Sequence, residues 1–189
     1  MVRFLQAFTN FMNILICSPL YPPDVEPAAV HVKELAKRLS KGHRVSVLTY
    51  GAHPEHIPDV MLFAVEKHLP LVWRVFLYTK KLLTLSRHVE YVYVENGASV
   101  ELPVLLMSLF TSVSIIFHKG DARANTAAEN NVMHGILQKT LALRAKKVIH
   151  EELIETPEII PFLPYPEKEF EAYENFWKHH MQSINEATT

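Results

Sequence analysis

Two acidic side chains stand in the loop where an α/β protein would hold a ligand. The stretch "PLYPPDVEPAAVH", residues 19–31, follows an apolar run and precedes a helical pattern; it carries Asp24 and Glu26 among four prolines and no glycine. Glycines in a strand–helix turn let the backbone approach a pyrophosphate, whose charge the helix N-terminus then receives. Here the loop is stiff, and its carboxylates favour the helix while opposing a phosphate. No G-x-x-x-x-G-K-[ST] occurs anywhere in the chain. Dinucleotide and P-loop chemistry are therefore disfavoured. The plainer reading of the loop is a rigid linker with an acid capping the helix.

Other polar groups are spread more thinly. Asn96, Gly97 and Ser99 fall where a strand pattern ends, so they either line a cleft there or form an ordinary Asn-Gly turn. Glu151 and Glu152 read as solvated loop acids. The 11 histidines include no HExxH and no cysteine partner. His53 with His56, and His179 with His180, are poor ligand pairs, so no metal site is expected. The single cysteine, Cys17, lies in an apolar run and reads as a buried, inert thiol. One cysteine leaves no internal disulfide and fits a reducing, cytoplasmic compartment.

The chain of 189 residues suits one domain with a sizeable core. A net charge of -1 gives no global field for nucleic acid, and no nucleic-acid partner is expected. Residues 1–11 read as an extension outside the fold. The apolar stretch 102–117 is interrupted by Ser108, Thr111, Ser112 and Ser114 and is short for a membrane span.

The elements that must position these groups alternate strand and helix. "NILICS" (13–18) reads as a central parallel strand. Apolar positions 28, 32, 35, 36 and 39 trace one helix face, with Pro27 in its first turn and Gly42 as its C′ residue. Strands follow at 44–50, 60–66, 89–95 and 112–118, with helices over 70–87, 99–110 and 126–146 and a short strand at "KKVIH". The helix over 70–87 interleaves Trp73, Phe76, Leu77 and Leu82 with Arg74, Lys80, Lys81 and Arg87. It reads either as a core helix with a basic outer face or as a surface for anionic lipid. A proline-rich segment, 157–166, leads to a last helix, 167–182, whose Phe170, Tyr173 and Trp177 share a docking face; 183–189 is a tail. The pattern predicts an α/β, Rossmann-like, doubly wound parallel sheet of six or seven strands in a single domain spanning 12–182.

Residues 12–51, "MNILICSPLYPPDVEPAAVHVKELAKRLSKGHRVSVLTYG", resemble the start of family 4 glycosyltransferases, which have the GT-B fold. His31-Val32, Leu35-Ala36, Leu39 and Gly42-His43 stand in matching places. The likeness continues, more weakly, through "VEYVYVENGAS" and "SVSIIFHKGD" to about residue 150. It implies an acceptor-binding N-terminal half. Glu26, Pro27, Ala28 and Ala29 replace the family's Gly-Gly pair, so the close approach of glycine is lost. His118 takes the place of the strand-end histidine that faces the reaction centre. It would orient a sugar hydroxyl or steady developing charge, with Lys119 and Asp121 beside it.

The resemblance further implies retaining glycosyl transfer from a nucleotide sugar, as co-substrate and with no other cofactor, to a carbohydrate or lipid-linked acceptor. The family's donor-binding domain has no room in this chain. A separate nucleotide-sugar-binding subunit, or a homo-oligomer, is the expected partner. With a lipid-linked acceptor the protein would sit peripherally at the membrane through 70–87. The alternatives are a non-catalytic binding or regulatory relative and an incomplete gene product.

Overall fold

The computed structural model describes residues 11–150. The expected extension up to residue 10, Glu151, Glu152, the 157–166 segment, the 167–182 helix with His179 and His180, and the tail lie outside the described residues. The elements are β1 (Asn13–Cys17), α1 (Pro27–Leu39), β2 (Arg44–Tyr50), β3 (Val60–Val65), α2 (Leu71–Ser86), β4 (Tyr91–Glu95), α3 (Ala98–Ser108), β5 (Ser114–His118), α4 (Ala122–Asn130), α5 (Val132–Arg144) and β6 (Lys147–Ile149). The six strands form one parallel sheet in the order β3-β2-β1-β4-β5-β6. This is the Rossmann-like α/β architecture the alternating pattern predicts.

Successive strand residues point to opposite sides of the sheet, so each strand feeds two cores. On one side Val32, Leu35, Ala36 and Leu39 of α1 cover Ile14, Ile16, Val45, Val47, Tyr93 and Ile116. On the other, Tyr78 and Leu82 of α2, Val100, Val104 and Met107 of α3, and Leu141 of α5 cover Leu15, Cys17, Leu48, Val92, Val94 and Phe117. Strands buried on both faces need continuous apolar runs, which "NILIC" supplies.

Three local expectations are corrected. The helix expected over 126–146 is two helices, broken at Asn131. That residue is extended (φ -125°, ψ 109°), and its side chain accepts from the His134 amide, capping α5 instead of continuing α4. Gly42 is not a left-handed C′ residue: α1 closes at Ser40, and the Gly42 and His43 amides both donate to the Leu39 carbonyl. The helix over 70–87 does not place Trp73 and Phe76 in the core. Both are exposed, with Leu71 and Val72. Only from Tyr78 onward does α2 bury residues, because it packs mainly on α3 and not on the edge strand β3. No described helix is long and apolar enough to cross a membrane.

Candidate functional site

The strand order reverses between β1 and β4, and ligands of open parallel sheets bind at such a point, beyond the C-terminal strand ends. The loop after β1 is tied down by its own polar groups. The Asp24 carboxylate accepts from the Tyr21 amide and from Lys67 Nζ, at 2.6 and 2.7 Å from its two oxygens. Glu26 holds the N-cap position of α1 yet makes no side-chain capping bond, and Pro27 follows it. Neither acid caps the helix, contrary to the plainer sequence reading: Asp24 is spent on its own turn and on Lys67. Glu26 and Pro27 are half-buried and Ala28 is buried.

The turn after β4 closes the crevice from the other side. Gly97 has φ 155°, and a Cβ there would lie 3.0 Å from Pro19 Cγ, so glycine is required for the two loops to touch. Its amide donates to Glu101 Oε1 at 2.9 Å. Asn96 is fully buried and works as a clamp. Its Oδ1 accepts from the Asp121 amide at 2.9 Å, while Nδ2 donates to the Asp121 carbonyl and to Asn125 Oδ1, both at 3.0 Å. The Asp121 carboxylate caps α4 through the Arg123 and Ala124 amides. Lys119 is half-buried, and its amide donates to the Ile149 carbonyl at 2.8 Å. The Ser99 carbonyl accepts from the Tyr50 hydroxyl at 2.8 Å. The structure thus gathers Asn96, Gly97, His118, Lys119 and Asp121 at neighbouring strand ends. The Asn96 side chain and the Asp121 carboxylate are already committed to the backbone of that region.

His118 is fully buried. The sequence places it at the end of β5, and there it is, but facing inward instead of into an open cleft. Tyr93 and Glu95 on β4, and Ile116 and His118 on β5, share the α1 side of the sheet by their two-residue period. His118 Nδ1 lies 3.0 and 2.9 Å from the two oxygens of the equally buried Glu95. Its ring stacks on His31 of α1 at 5.0 Å and on Tyr93 at 5.7 Å. Glu95 and His31 were not recognised from sequence as site residues. The predicted strands 89–95 and 112–118 end on Glu95 and His118, and the register that pairs the two comes from the structure.

His31, Glu95 and His118 each bring one ligand-capable atom to within 4.8 Å of the other two. No histidine pair close in sequence reveals this set, because it is assembled from three separate elements. A second buried pair lies behind the crevice. Glu101 Oε2 is 3.0 Å from His134 Nε2. Burial pushes the Glu101 carboxyl above the usual range, against the opposing pull of the Gly97 amide and His134. Cys17 is buried as expected, and burial pushes its thiol up to about 12. An open groove of about 640 Å³ beside Arg87, Glu90 and Phe110 sits at the N-terminal ends of β4 and β5, the opposite end of the sheet from His118.

No family model and no curated protein matches the chain. Solved structures do. A candidate UDP-N-acetylglucosamine 2-epimerase from Listeria monocytogenes aligns with 75% of this chain and 39% of its own, at 12% identity and a TM-score of 0.53. An alpha-glucosyltransferase, in complex with UDP and a 13-mer DNA containing a HMU base, aligns with 74% of this chain and 38% of its own, at 12% identity and a TM-score of 0.44. The C-terminal domain of the coenzyme A biosynthesis bifunctional protein CoaBC aligns with 92% of this chain and 96% of its own, at 13% identity and a TM-score of 0.46. The chain spans about two fifths of the length of the Listeria protein. At such identities a likeness shows the fold alone, and the fold shared with the Listeria protein is the Rossmann-like α/β one.

Proposed function

We propose that this chain is the acceptor-side domain of a glycosyltransferase of the family 4 type. It works with a nucleotide-sugar-binding half that lies outside residues 1–189. The observation that supports the reading most is the position of the polar strand ends. Asn96, Gly97, His118, Lys119 and Asp121 lie beside the switch point, where this fold places its ligands. In this reading Glu26, Ser99 and Lys119 meet a carbohydrate acceptor. His118, buried against Gly120, supports the Lys119–Asp121 turn and does not touch a hydroxyl. Exposed Val72, Trp73 and Phe76, with Lys80 on the same helix and Arg87 at its C-cap, would rest on a cytoplasmic membrane face that carries a lipid-linked acceptor.

The test is to purify the chain with its cellular partners and assay glycosyl transfer from a panel of uridine and guanosine diphosphate sugars. Transfer by the complex, with the chain alone binding donors near or above millimolar Kd (about -4 kcal/mol), is the expected result. Micromolar donor binding by the chain alone, or no transfer by any complex, overturns it. Two observations favour a second reading, a non-catalytic relative: Pro19 seats on Gly97 across the crevice, and His118 is shut away from solvent.

A further inference from the structure

We propose that His31, Glu95 and His118 form a binding site for one divalent transition-metal ion of the zinc type. Two imidazole nitrogens and one carboxylate oxygen are a donor set that suits zinc or cobalt. Magnesium and calcium take mainly oxygen ligands in higher number. Tetrahedral bonds of about 2.0–2.1 Å put neighbouring ligand atoms about 3.3 Å apart. His118 Nδ1 and the Glu95 oxygens are already at 2.9–3.0 Å, and all three ligand atoms lie within 4.8 Å of one another. Closing the triangle around an ion requires the His31 ring, which stacks on His118 at 5.0 Å with the two planes 19° from parallel, to turn so that its nitrogen converges on the point His118 and Glu95 face.

The surroundings fit the same role. All three side chains are buried, and a buried carboxylate carries a large desolvation cost that a divalent cation offsets directly. The ligands come from a helix and two adjacent strands, so the fold presents them without ordering a loop. Tyr93 Oη lies 3.4 Å from His31 Nε2, and Gly120 packs against the His118 ring. Both contacts fix imidazole orientation, as the outer partners of metal-bound histidines do. Three protein ligands leave one tetrahedral position for water or another donor. So deep a site would tie α1 to β4 and β5. It is independent of the transfer activity proposed above: a chain without any donor-binding partner would still hold the ion.

The experiment uses the full chain without a histidine tag, unfolded, stripped with chelator, and refolded with and without Zn²⁺ or Co²⁺. One equivalent of cobalt should give the intense visible absorption of a tetrahedral centre, and zinc should raise the melting midpoint. His31→Gln and Glu95→Gln should each weaken binding at least about tenfold, while a His53→Gln, His56→Gln double variant keeps it. Loss of binding counts only for a variant with the wild-type circular dichroism spectrum. Should neither variant fold, X-ray absorption of the cobalt-loaded wild type decides. A shell with two imidazoles and a carboxylate supports the site, and an all-oxygen or single-imidazole shell overturns it. Refolding that takes up no ion, or a metal response that survives His31→Gln, also overturns it.

Discussion

Gly120 lies against the imidazole of His118 so closely that a Cβ at residue 120 would come 2.7 Å from Nε2 and 2.9 Å from Nδ1. The ring has no room to retreat, since it stacks on His31 and Tyr93. Gly120→Ala should therefore cost about 1–3 kcal/mol, the usual range for overpacking. Gly42 is the control: nothing lies within 4 Å of a Cβ there, and its φ is not positive. Gly42→Ala should be neutral or stabilise by a few tenths of a kcal/mol up to ~1 kcal/mol. Equal denaturant midpoints for the two variants would show that the 119–121 turn yields freely.

Removing His118 should destabilise the fold, so that its effect on catalysis cannot be read apart from stability. Both oxygens of the buried Glu95 face its Nδ1. His118→Ala leaves that carboxylate in an apolar setting, at a cost of about 3–5 kcal/mol. Adding Glu95→Gln removes the stranded charge and should recover part of the loss. Urea denaturation of the single and double variants measures this coupling, and strictly additive costs would contradict it.

Glu101 makes stability depend on pH in an unusual direction. Burial raises its carboxyl above the ordinary value, so the folded state holds that proton more tightly than the unfolded chain. The contribution is fully present below the unfolded value, about 4.3, and is lost as pH rises through the folded one. Glu101→Gln keeps an acceptor for the Gly97 amide and abolishes the titration. Relative to wild type, the variant should gain stability as the pH is raised from 4 towards neutrality. Denaturation at a series of pH values tests this, and a stability difference, variant minus wild type, that falls or stays flat over that range would count against it.

Cys17 should be inert in the native protein. Its thiol is fully buried and raised to about 12, so thiolate is scarce and reagents have no path to it. A thiol-reactive dye should label the chain only in denaturant, at one equivalent per chain. Rapid native labelling would show that β1 opens locally.

The parts of the fold that rest on periodicity were legible. The apolar positions of α1 mark its buried face, and β2 spans the predicted 44–50. The break at Asn131 was hidden because asparagine inside a helical pattern and asparagine at a cap have the same spacing; only the His134 amide bond distinguishes them. Trp73 and Phe76 misled because size alone suggests a core, while their exposure follows from where α2 meets α3. The position of His118 was readable from the strand end. Its environment was not, since Glu95 lies 23 residues away and His31 on another element. Burial there is decided by strand register and helix docking, which a single sequence does not display.

The strand order also dictates a sequence of events during synthesis. β1 is central, yet its two neighbours arrive at very different times: β2 follows after one helix, whereas β4 begins at Tyr91. Until β4 has left the ribosome, the β3-β2-β1 portion ends in the bare edge of "NILIC", one of the most apolar strands in the chain. Such an edge invites pairing with another chain. Closing the sheet across so long a separation is slow, because the loop entropy is lost before the contacts form. A nascent chain that ends before β4 therefore carries the future centre of the sheet as an unpaired apolar edge.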